Sequence, residues 1–190
     1  MNEIKRTNQF ITSQDSKKEG RNTYYKMLDE VRNGNLIRIR QGVYATFEQL
    51  ANVMIDLDAV IPHGILCHLS AFNIHGLTMS LPQAFHVAIK RGRKIVLPEY
   101  PPIELHSVSE SVFELGLERK DIDGYVINIY NKERCVCDAI KYRNKVGIEV
   151  CSEVVNTYLK SPERNLTLLM DYARELRVVS ILQRYMEVVL

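Results

Sequence analysis

A chain of 190 residues, 46% hydrophobic and 25% charged, is ordinary for a globular protein and long enough to bury a core without covalent staples. Its longest apolar stretches, such as 53–61 with Asp56 and Asp58 inside it, fall well short of the roughly 20 residues of a membrane span. The formal charge of +2 is uneven: residues 1–50 carry nine Lys/Arg against six Asp/Glu, and the remainder sixteen against seventeen, so any pull on a polyanion lies in the first quarter. MNEIKRTNQF at the start lacks the apolar run of a secretory signal, and the four cysteines have no framework spacing, which together predict a cytoplasmic protein.

In chain order, Thr12 or Ser13 is positioned to cap a short helix over 14–19, with Gly20 as its stop. Asn22 or Thr23 is positioned to cap a second helix, which runs to about Arg32, has apolar residues at Met27, Leu28 and Val31, and breaks at Asn33-Gly34. The period then changes. Residues 36–41 and 43–46 read as a two-stranded ribbon turning at Gln41-Gly42, with Arg38 and Arg40 on one side and Ile37 and Ile39 on the other. Residues 47–60 return to helical spacing through Leu50, Val53, Met54 and Leu57.

Pro62-His63-Gly64 breaks the chain, and 65–75 reads as a helix ending at Gly76. Strands are predicted over 84–90, 103–108 and 124–130, with KRGRK at 90–94 as a basic turn and Glu118, Arg119 and Lys120 in a charged loop before Gly124. Everything after Lys132 reads as helical, broken near Gly147 and Ser161-Pro162, with Asn165 as a cap and an apolar final segment. The expected architecture is α+β: a winged helix-turn-helix over 1–60, then an α+β domain over 61–190 with a small central sheet and a helical C-terminus. The support of a first helix falls to residues 1–10 or 47–60.

Helix, turn, helix and ribbon is the layout in which a second helix enters the DNA major groove. Arg21, Asn22, Tyr24, Tyr25 and Lys26 occupy the start of that helix. Arg reads guanine, Asn reads adenine, and Tyr and Lys hold phosphates, while Arg38 and Arg40 suit a wing lying on the backbone. The alternative is a solvated ribbon whose arginines serve solubility. Lys90, Arg91, Arg93 and Lys94 form the densest basic cluster, a second candidate for phosphate or for a protein partner.

Other constellations point away from catalysis. Cys135-x-Cys137 with Cys67-His68 lacks the usual zinc spacing, and two residues on a helix diverge. Ser70 and His75 are five apart without a nucleophile elbow, so Ser70 suits close packing and His75 a helix end. Glu118-x-Lys120, with Asp121 and Asp123 nearby, fits the end of a metal-dependent nuclease motif. Arg134 and Asp138 read as an i,i+4 ion pair, worth about 0.3–0.5 kcal/mol if exposed. No catalytic residue, cofactor or metal is expected.

Several stretches resemble one family. NLIRIRQGVYAT, GILCHLSAFNIHGLT, FHVAIKRGRK and IYNKERCVCDAI occur in the order found in AbiEi antitoxins of bacterial type IV toxin–antitoxin (abortive-infection) systems. The resemblance implies a DNA-binding transcriptional autorepressor whose partner is double-stranded DNA at its own promoter. It also implies a nucleotidyltransferase-like toxin as functional partner and a C-terminal domain needed for antitoxicity. By position, Arg21 to Lys26 and Arg38 with Arg40 would contact DNA, in a protein that is not an enzyme and that binds as a possible homodimer.

Overall fold

The computed structural model describes residues 11–46, 57–97, 101–122 and 124–189, without the side chains of Arg40, Ala59, Val188 and Val189. It is α+β, with a mixed sheet and a helical C-terminus. Two compact units are present: Met1–Gly64 with Lys94–Pro102 and Lys120–Ile127, and Ile65–Arg93 with Ile103–Arg119 and Asn128–Leu190.

The first unit begins with β1 (Ile11–Thr12), α1 (Ser13–Lys18) and α2 (Arg21–Arg32), followed by β2 (Ile37–Arg40) and β3 (Val43–Ala45). Thr12 caps α1 as expected, its hydroxyl accepting from the Asp15 N–H. α2 differs from expectation: it starts at Arg21 behind Gly20, whose φ of 127° is open to glycine, and no side chain caps it. Asn33-Gly34 ends it. β1 pairs with β3 and β3 with β2, both antiparallel, in the order β1-β3-β2. A register shift between Arg38 and Arg40 interrupts the strict alternation expected of β2. Met27, Leu36 and Tyr44 form the buried centre, with Ile11, Tyr24, Leu28 and Val31 packed around it. Of the helix expected over 47–60, α3 (Leu57–Val60) is described and the rest lies outside the described residues, as do residues 1–10.

Ile65 and Leu66, expected in a helix, form β4 instead. Both are fully buried between β5 (Phe85–Lys90), antiparallel, and β8 (Tyr125–Tyr130), parallel, and sheet pairing satisfies backbone groups that a helix would have closed locally. The helix therefore starts later, as α4 (His68–Ile74). β6 (Ile103–Val108) runs parallel to β5 with His86 opposite Glu104 and Ala88 opposite His106. After α5 (Glu110–Phe113) comes β7 (Leu117–Ile122), so the expected charged loop is an edge strand with exposure alternating residue by residue. The sheet order is β6-β5-β4-β8-β7.

α6 (Lys132–Lys141), α7 (Arg143–Val146), α8 (Ile148–Lys160), α9 (Leu166–Glu175) and α10 (Val179–Val189) complete the chain. Asn131 caps α6 and Asn165 caps α9 through their side-chain carbonyls. α6 is buried continuously from Glu133 to Ile140, and its Arg134–Asp138 pair, expected as an i,i+4 ion pair, is formed and lies inside the protein. Among the described residues no helix is long and apolar enough to cross a membrane.

Candidate nucleic-acid interface

α2 faces the core of its unit with Met27, while Leu28 and Val31 line the edge of that core. The 3.6-residue period then turns Arg21, Asn22, Tyr25 and Lys26 outward as two i,i+4 pairs, all exposed, with Tyr25 at 52% of its full area. Tyr24 is different. It is half-buried against the core, 6.0 Å from the Tyr25 ring by centroids, and the Lys17 ammonium lies 4.9 Å over it. Four of the five expected contact residues on α2 are therefore presented together, and the fifth braces them.

The electrostatics of this end of α2 favour an anion. The first turn carries no acidic side chain, and no side chain caps its N–H groups. Unused amide hydrogens at a helix N-terminus attract phosphate, and Arg21 and Lys26 add full positive charges to that partial one. The only acidic residues of α2, Asp29 and Glu30, lie in its second half, where Asp29 Oδ1 stands 3.5 Å from Arg32 Nη1 and Glu30 accepts from Asn35.

On the ribbon, Arg38 is exposed while Ile39 is 2% exposed. The position of the Arg40 side chain lies outside the described residues. The ribbon is tied to α1 by the Ser13 N–H, which donates to the Gly42 carbonyl at 2.8 Å.

The second basic cluster is less available. Lys90 Nζ is 3.2 Å from Glu110 Oε1, 3.8 Å from Glu114 Oε1 and 5.6 Å from the centre of the Phe113 ring. Arg91 and Lys94 are exposed and Arg93 is half-buried, but Lys94 belongs to the first unit and the other three to the second.

Ser70 Oγ donates to the Ala84 carbonyl and accepts from the His86 N–H. His75 ends α4, its Nε2 2.8 Å from the Tyr130 carbonyl and 3.7 Å from Glu118 Oε1. All four cysteines are free and buried, and burial pushes the Cys135 and Cys137 thiols up. Asp121 accepts from the Gly124 N–H, and Asp123 lies outside the described residues. Among the described residues, no group of three clustered ligating side chains includes Glu118 or Asp121.

Sequence reading overlooked one cluster. His68, His86 and His106 gather in the second unit, with the His68 and His106 rings stacked at 4.1 Å. Burial, then the neighbouring His106 and His86, lowers His68 to about 3 and keeps it neutral. The signal available in sequence was Glu104-x-His106, two residues sharing one face of a predicted strand. No protein-family model matches the chain, and no curated protein matches it in sequence.

Proposed function

We propose that this protein is a DNA-binding antitoxin and transcriptional autorepressor of a type IV toxin–antitoxin operon, with a winged helix-turn-helix in its first unit. The observation that carries the reading is the uncapped, acid-free start of α2 with Arg21, Asn22, Tyr25 and Lys26 exposed together. Two further features support it. Helix, helix and a two-stranded ribbon follow one another as in the layout expected of a winged module, with the short β1 added beside β3, and exposed Arg38 sits on the strand that would form the wing.

In this reading Arg21 and Asn22 read base edges in the major groove, Tyr25 and Lys26 hold phosphates, and Arg38 with Arg40 follows the backbone. Phosphate neutralisation supplies most of the affinity, and paired half-sites would engage a homodimer. Repression follows from occupancy of the promoter. The second unit would serve antitoxicity toward a nucleotidyltransferase-like toxin, without catalysis of its own.

The test is charge reversal. Arg21→Glu/Arg38→Glu should abolish binding to the DNA upstream of the gene, while Lys160→Glu, on exposed α8 surface of the second unit, should bind like wild type. If Arg21→Glu/Arg38→Glu represses and binds normally, the α2–ribbon surface is not a DNA interface and a protein partner takes its place.

A further inference from the structure

The histidine cluster extends beyond this reading. β5 and β6 are parallel and in register, so His86 lies opposite Glu104 and, two residues on, Ala88 lies opposite His106. Period-two alternation puts all four on one face of the sheet. His86 Nδ1 and His106 Nε2 stand 3.0 Å apart. The Glu104 carboxylate spans them, with Oε2 3.7 Å from His86 Nδ1 and Oε1 3.7 Å from His106 Nε2.

Those last two separations are too long for hydrogen bonds. The carboxylate is instead equidistant from the two nitrogens, so an ion on its side of the pair would lie within reach of all three side chains. A tetrahedral zinc ion with bonds of about 2.0–2.1 Å separates its donors by about 3.3 Å, a value that 3.0 and 3.7 Å bracket. As the two nitrogens stand, one ring N–H donates to the other ring's lone pair. A metal ion would take the place of that bond, the donating ring moving its proton to its other nitrogen and both rings turning so that their lone pairs meet on the carboxylate side.

We propose that His86, Glu104 and His106 form a binding site for a divalent transition-metal ion. Two imidazoles and one carboxylate are the donor set of open zinc sites and of related first-row ions, leaving a position for water. Glu104 is 60% exposed at its side chain against 16% for His86 and 18% for His106, so the carboxylate side is the entry path. The histidines are held beforehand. The backbone N–H of His86 donates to Ser70 Oγ at 3.0 Å, which fixes the strand at that position, and the His106 ring stacks on His68 within 16° of parallel. His68 in turn is fixed at the head of α4 with φ 45° and lies 4.8 Å from Tyr142 by ring centroids.

Cys67, His68 and His106 also lie within ligating reach of one another. That trio is the weaker site. Cys67 and His68 are 1% and 5% exposed, so that trio has no open side by which an ion could enter, whereas Glu104 gives the first site one.

The full chain, freed of metal by chelator, would be titrated with Zn2+ by calorimetry and with Co2+ by visible absorption. One equivalent of Zn2+ should bind and raise the melting temperature, and Co2+ should give the bands of a tetrahedral N/O site. His86→Gln/His106→Gln should lose binding, and Glu104→Gln, an isosteric change at an exposed position, should weaken it at least about tenfold. Cys67→Ser and His63→Gln should bind as wild type. Should the histidine double variant fail to fold by circular dichroism, Glu104→Gln decides. Absence of a stoichiometric site in wild type, unchanged affinity in Glu104→Gln, or loss of binding in Cys67→Ser would each overturn the proposal.

Discussion

The Arg134 guanidinium donates from Nε to Asp138 Oδ2 at 3.0 Å, one turn along α6, with the two side chains 2% and 3% exposed. Arg134 Nη1 also donates to the Val112 and Leu115 carbonyls, and its guanidinium lies 4.2 Å over Tyr130. Removing one partner strands a buried charge. Arg134→Met or Asp138→Ala should each cost about 3–5 kcal/mol, while Arg134→Met/Asp138→Leu should recover much of that loss. Urea unfolding of the three variants checks it, and near-additive losses in the double would contradict the pairing.

Gly42 combines a φ of 79° with a tight neighbour, since a Cβ there would come within 2.9 Å of Ser13 Oγ. Gly42→Ala should destabilise the first unit by about 1–2 kcal/mol from backbone strain alone. Ser13→Ala in the same chain should relieve only the steric part. A melting temperature unchanged by Gly42→Ala would refute the turn geometry.

Tyr24 and Tyr25 are adjacent but do different work. Tyr24→Ala removes packing from the Met27–Leu36–Tyr44 core and should lower stability by about 1–3 kcal/mol. Tyr25→Ala should change stability by no more than about 0.5 kcal/mol yet weaken binding to upstream DNA. Paired thermal melts and anisotropy titrations separate the two effects; equal stability losses would contradict the assigned burial.

Glu153 accepts from the Thr78 hydroxyl and, at 2.9 Å, from the Met79 N–H, and these bonds hold its carboxyl below the ordinary glutamate value. A carboxyl depressed in the folded state adds stability above its unfolded pKa and loses it as pH falls through the folded one. The group is largely solvated, so the gain should stay under about 1 kcal/mol. Glu153→Gln should be less stable than wild type at pH 7 and converge with it below the glutamate range. A constant difference across pH would assign the effect to packing instead.

Much of this was legible in the sequence where local chemistry decides. Asn33-Gly34, the Gln41-Gly42 turn, the strand through Val126 and Ile127, and the Asn165 cap all announce themselves within a few residues. Long-range pairing was not legible. Ile65-Leu66 adjoins a helical pattern and becomes strand only because β5 and β8 flank it. Glu118 and Lys120 are too polar to suggest a strand until β8 lies beside them. The histidines follow the same rule: both strands were readable, but their parallel register, which brings residues 86, 104 and 106 together, depends on the sheet.

The most direct test of the central claim is fluorescence anisotropy of the DNA upstream of the gene, against scrambled DNA, across a salt series. Binding should be selective and its affinity should fall as salt rises, with log K against log salt sloping by about −0.9 for each neutralised phosphate. Lys26→Ala should make that slope shallower by about one. Equal binding to scrambled DNA, or affinity indifferent to salt, would contradict the claim.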